Sequence, residues 1–108
     1  MVVLNMYYDI YVTEEDSNGD IISETMLYNS EHFDIKDTID SVIKYIEKEF
    51  IGCITENIIT LSKVKFRLNK YNYFIFEDFE KHKHTFVLRK WSAGSTLINK
   101  DIFIKIRR

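Results

Sequence analysis

The chain has 108 residues, 45% hydrophobic and 15% aromatic, with no proline and three glycines, which predicts one globular domain over residues 1–108 and argues against disorder. No apolar run approaches the roughly 18 residues of a membrane helix, and a lone cysteine, Cys53, excludes an internal disulfide. The net charge of −2 conceals a split: residues 1–60 hold 13 acidic and 3 basic side chains, residues 61–108 hold 4 acidic and 12 basic. Such a split points to a polar partner, to two halves facing each other within a monomer, or to a homo-oligomer joined through complementary charge.

No basic segment opens the chain, and Asn5 and Asp9 interrupt its first apolar stretch, so a signal peptide is not expected and a cytoplasmic location is. The bias toward Ile, Lys, Asn and Tyr is that of an AT-rich genome, as in some bacteria and their phages and plasmids. From Val2 to Thr13, Leu4, Met6, Tyr8, Ile10 and Val12 fall on one face and Asn5, Tyr7, Asp9 and Tyr11 on the other, the period of a half-buried strand. Asn18-Gly19 then predicts a two-residue type I′ hairpin turn, with both residues at positive φ. That turn sets Val12 opposite Thr25, Ile10 opposite Leu27 and Tyr8 opposite Asn29, with a second strand over Asp20–Tyr28.

One helix is predicted after Asp34. Ile35, Ile39, Val42, Ile43, Ile46 and Phe50 make a single apolar stripe. Asp34 caps its start, and Asp37 and Asp40 suit the positive end of its dipole. Asp40 and Lys44 are spaced as an i,i+4 pair. Gly52 is placed to end the helix in a left-handed conformation, and Cys53 reads as a small buried residue near that end.

Everything after about Ile58 reads as strand. Val64, Phe66 and Leu68 alternate with Lys63, Lys65 and Arg67, and Asn69–Asn72 is a turn. Tyr73–Phe79 is apolar enough for a central strand covered on both faces; Glu80–His84 is a charged turn, and Thr85–Trp91 the next strand. Ser92–Thr96, with Gly94, is a loop, after which Ile102, Ile104 and Ile106 alternate with Phe103, Lys105 and Arg107. The order β-β-α-β-β-β-β predicts an α+β fold, a single helix packed on one face of a mainly antiparallel sheet. The helix stripe would cover Val64, Phe66, Leu68, Ile102, Ile104 and Ile106 and leave Lys63, Lys65, Arg67, Lys105 and Arg107 on the opposite face.

Three constellations could carry function. The first is that basic face, joined by Arg89 and Trp91 on one strand face and by Phe103: cations hold phosphates and rings stack on bases. An antiparallel sheet covered on one side also shows polar residues on the other for solubility alone. The second is an acidic hairpin, Glu14, Glu15, Asp16 and Asp20 around Ser17-Asn18-Gly19, with Asp37 and Asp40 of the helix in the same half. It lacks the glycine and glutamate spacing of a calcium loop, but an acidic prominence can compete for the basic groove of a nuclease. The third is His82 and His84, which share a strand face with Asp78 and Glu80. Two histidines and a carboxylate could hold zinc, or cleave RNA as general acid and base, although a charged turn rarely supplies the convergence either needs.

No phosphate-cradling glycine loop, nucleophile elbow or cofactor motif is present, and neither cofactor nor metal is expected. The leading expectation is a small non-enzymatic protein-binding module, a stoichiometric inhibitor of a nuclease or nucleic-acid-binding effector of the phage anti-defence or toxin-immunity kind. It would use Glu14, Glu15, Asp16, Asp20, Asp37 and Asp40 against a basic target surface. The alternatives are a nucleic-acid-binding domain using Lys63, Lys65, Arg67, Arg89, Trp91, Lys105 and Arg107, and a small His-dependent ribonuclease.

Overall fold

The computed structural model describes residues 6–27, 34–92 and 94–106. Strands β1 (Met6–Glu15) and β2 (Ile21–Leu27) lead into helices α1 (Ile35–Glu49), α2 (Ile51–Thr55) and α3 (Leu61–Tyr71). Strands β3 (Tyr73–Glu77) and β4 (Lys83–Ser92) follow, then a short helix α4 (Ile102–Ile106). The four strands form one antiparallel sheet in the order β2-β1-β4-β3. This is the α+β architecture expected, with helices on an antiparallel sheet.

The first hairpin keeps the expected register, Ile10 opposite Leu27 and Val12 opposite Thr25, but reaches it differently. Only Gly19 has positive φ, +86°; Asn18 does not. The Gly19 N–H donates to the Asp16 carbonyl at 3.0 Å and the Asp16 N–H to the Asp20 carbonyl at 2.9 Å, which closes a three-residue loop rather than a two-residue one. The additional loop residue would shift the ladder by one. A bulge restores it: Glu15 faces Ile21 and Glu14 faces Ser23, so Ile22 has no partner of its own. The pairing expected of Tyr8 with Asn29 and the strand ends at Val2–Asn5 and Tyr28 lie outside the described residues.

Asp34 caps α1 as expected: it is extended, φ −123° and ψ 129°, and its carboxylate accepts the Lys36 N–H at 2.7 Å. Ile39, Val42, Ile43 and Ile46 are buried, joined to Ile10, Val12, Phe74, Phe76, Phe86 and Leu88 on the inner face of the sheet. Asp40 and Lys44 form no ion pair with each other. The helix ends before Gly52, at Phe50, whose N–H donates to the Ile46 carbonyl. Gly52 lies inside α2, and the left-handed stop falls at Asn57, φ +60°, where the N–H groups of Ile58 and Ile59 both return to the Cys53 carbonyl. Cys53 is buried in α2.

Two stretches read as strands are helices. Residues 61–71 form α3, held by Val64 and Leu68, four apart, in the core beneath α1, while Phe66 is 55% exposed. Four residues is one helical turn and also two strand steps, so the pair satisfied both periods, and Phe66 breaks the strand one. Asn72, φ +66°, ends α3 and turns directly into β3. Residues 102–106 are α4, with Ile102 buried but Ile104 exposed. Phe103 packs edge-on against Tyr11, an outer-face residue, so α4 lies on the sheet face away from α1 rather than beneath its stripe. Finally, β3 is an edge strand, not a central one, and Phe79 stands exposed in the following loop.

Candidate functional site

The β3–β4 loop repeats the geometry of the first hairpin. The Asp78 N–H donates to the His82 carbonyl at 2.9 Å and the Lys81 N–H to the Asp78 carbonyl at 3.1 Å. In both loops the aspartate Oδ1 accepts the N–H groups two and four residues on: Asn18 and Asp20 for Asp16, Glu80 and His82 for Asp78. In the second loop Lys81 occupies the left-handed position that Gly19 fills in the first, at φ +66°.

This loop and the end of β1 bring four titratable side chains together. Glu14 faces His84 across the β1–β4 ladder, and its Oε2 lies 2.7 Å from the Nδ1 of His82. The Nε2 of His84 lies 2.7 Å from the Oδ2 of Asp78. His84 is buried, with its ring stacked on Phe76 and edge-on to Phe50, both at 4.8 Å between centroids. The hydrogen bond to Glu14 raises the His82 pKa; partial burial opposes this, and the charges of Asp78, Glu14 and Glu80 add to it. Burial pushes the Asp78 carboxyl up, but its hydrogen bond with His84, the N–H groups of His82 and Glu80, and the charge of His84 outweigh it and hold the carboxyl below its ordinary value. Burial, with Asp78 nearby, raises the Cys53 thiol, which is therefore no activated nucleophile.

The acidic residues expected to bind a protein divide between two places. Glu14, Glu15, Asp16 and Asp20 do gather at the first hairpin, but Glu14 is engaged by His82, Glu15 by Lys83 at 3.1 Å, and Asp16 by its own loop. Asp20 is exposed. Asp37 and Asp40 lie in the first half of α1, whereas the end of α1 nearest the hairpin is marked by Phe50 against His84. Asp37 and Phe50 are 13 residues apart, about 20 Å along the axis. Beside Asp20 and the bulge, Ile21, Ile22 and Met26 are each more than half exposed on β2. A trough of about 500 Å³ runs next to them on the outer face, bounded by Ile21 and Glu24 on β2 and by Phe103 and Ile106 on α4. Glu24 there accepts the Tyr11 hydroxyl.

The basic residues expected on one sheet face do not share it. Lys63, Lys65 and Arg67 are on α3 and Lys105 is on α4, while Arg107 lies outside the described residues. Arg89 and Trp91 do share the outer face of β4, but both are held by Asp9. The guanidinium donates to both Asp9 oxygens at 2.6 and 2.8 Å and the indole N–H donates at 3.0 Å, with Asp9 only 3% exposed. Arg89 also lies over the Tyr11 and Trp91 rings, at 5.1 and 5.2 Å. Instead, α3 gathers Lys63, Lys65, Arg67 and Lys70 with exposed Phe66 and Tyr71, and none of the four cations is ion-paired among the described residues. The joining of Glu14 to His82 needed the β1–β4 register, which no local signal carries; the loop aspartates were visible as Asp16 and Asp78 three residues before Gly19 and Lys81.

No protein-family model matches the chain, and no curated protein and no solved structure matches it. Among the described residues, no helix is long and apolar enough to cross a membrane.

Proposed function

We propose that the protein is a non-enzymatic protein-binding module that acts as a stoichiometric inhibitor of a nuclease or another nucleic-acid-binding effector, through its β1–β2 hairpin. The supporting observation is β2 itself, a sheet edge that carries Ile21, Ile22 and Met26 more than half exposed beside Asp20 and Glu24. Edge strands that stay free are usually blunted by lysine, proline or a covering element. Residues 21–27 hold neither lysine nor proline, and the bulge at Ile22 and the charge of Glu24 interrupt the edge; an apolar centre with an acidic rim is the composition of a protein interface. A partner with a basic surface and an extended segment would pair along β2 and place side chains in the adjoining trough. The test is affinity capture from the native lysate after nuclease treatment, with Ile22→Lys and Asp20→Lys beside the wild type. A one-to-one protein partner lost from both variants supports the reading. The absence of a partner, or equal retention by both variants, overturns it.

A second reading, nucleic-acid binding, is favoured by α3, whose four cations form no ion pair among the described residues and, with two exposed rings, suit phosphates and bases. Binding to single-stranded oligonucleotides would then fall steeply as salt rises, and Lys65→Ala with Lys70→Ala would flatten that slope. No binding at low salt removes this reading.

A further inference from the structure

The geometry points to a binding site, formed by Glu14, Asp78 and His82, for one divalent transition-metal ion, zinc in preference to magnesium or calcium. One ligand atom from each of these residues lies within 4.8 Å of the others, and Glu14 Oε2 and His82 Nδ1 are already 2.7 Å apart. Tetrahedral zinc with bonds of about 2 Å spaces its ligand atoms about 3.3 Å apart, so Glu14 Oε2 and His82 Nδ1 separate to admit it. The three residues come from the end of β1 and from the first and last positions of the β3–β4 loop. Their backbone is fixed by the β1–β4 ladder and by the Asp78–His82 hydrogen bond.

The surroundings of Asp78 are those of an oriented ligand. Its Oδ1 is occupied by two backbone N–H groups, and its Oδ2 accepts from His84 Nε2. His84 is in turn gripped between Phe50 and Phe76. A histidine that holds a ligating carboxylate in this way fixes the direction of its remaining lone pair. His84 is thus a positioning residue. Glu14, Asp78 and His82 are each half-buried, so an ion enters with water at its remaining positions. An imidazole nitrogen with two carboxylates suits zinc or manganese, whereas magnesium and calcium favour all-oxygen shells. The ion takes the place of the proton shared by Glu14 and His82 and ties the end of β1 to the β3–β4 loop.

The experiment is titration calorimetry and thermal melting of tag-free, chelator-stripped protein with zinc chloride, and with magnesium chloride as comparator. One equivalent of zinc bound, a higher melting temperature, binding at least tenfold weaker in Glu14→Gln and in His82→Gln, and unchanged binding in Cys53→Ser support the site. No zinc binding, unchanged binding in both ligand variants, or loss in Cys53→Ser overturns it. Should the ligand variants fail to fold, the visible spectrum of the cobalt-loaded wild type decides. Ligand-field bands without a thiolate charge-transfer band support nitrogen and oxygen ligation; a thiolate band, or no bands, overturns it.

Discussion

Asp9 carries its charge where solvent barely reaches, and Arg89 and Trp91 are arranged around it. Two parallel hydrogen bonds to the guanidinium and one to the indole satisfy both carboxylate oxygens. Removing the acid leaves a guanidinium at 13% side-chain exposure without its counter-charge. Asp9→Ala should therefore cost about 3–5 kcal/mol, while Asp9→Leu with Arg89→Met should cost much less. Urea melts of the three proteins check this, and equal losses in both variants would rule out the uncompensated-charge argument. The other residue-scale effect is on pH. His82 titrates higher in the folded chain, so its contribution is complete below the unfolded value of about 6.5 and is lost as pH rises through the raised one. Asp78 titrates lower, so its contribution is complete above about 3.9 and is lost as pH falls through the depressed value. In chelator, the melting temperature should peak between about pH 4 and 6.5. His82→Gln should remove the decline on the alkaline side, and an unaltered alkaline arm in that variant would contradict the assignment.

At the scale of elements, three loops share one closure. Asp16–Asp20, Asp78–His82 and Ser92–Thr96 each exchange the same two backbone hydrogen bonds, with Gly19, Lys81 and Ser95 at positive φ. Only the first has the residue that this conformation favours. Lys81→Gly should raise stability by about 1 kcal/mol, a few degrees in melting temperature, and Ser95→Gly by a similar amount. A lower melting temperature in Lys81→Gly would show that the lysine stem contributes more than its backbone costs. The same loops mark what the sequence made legible. Asp34, the stripe from Ile39 to Ile46 and the Val12–Thr25 register could be read because each depends on neighbours within one element or one hairpin. The helical character of residues 61–71 could not, because Val64 and Leu68 fit either period and only the exposure of Phe66 distinguishes the two. Of the candidate site, the loop aspartates and both histidines were visible. Their union with Glu14 was not, since Glu14 and His82 are 68 positions apart.

For the whole molecule, the charge split resolves into the middle of the sheet. The acidic first half supplies β1 and the basic second half supplies β4, which run antiparallel from Met6 opposite Ser92 to Glu15 opposite Lys83. Asp9 meets Arg89, Glu14 meets His82 and Glu15 meets Lys83 across this seam. A slip of two residues would keep the faces but separate these partners, so charge selects the register where pleat alone does not. The cations of α3 lie off the seam, with Arg67 and Lys70 over the rings of Tyr71 and Phe66. Because the seam joins the two ends of the sequence, a cut near Asn57 in the turn after α2 would leave β1, β2 and α1 on one fragment and α3, β3 and β4 on the other. Such fragments, strongly opposite in charge, should reassemble on mixing, as a split reporter does. Their second-order rate, followed by Trp91 fluorescence, should fall with ionic strength. A salt-independent rate would mean that the opposed halves guide the docked state and not the encounter.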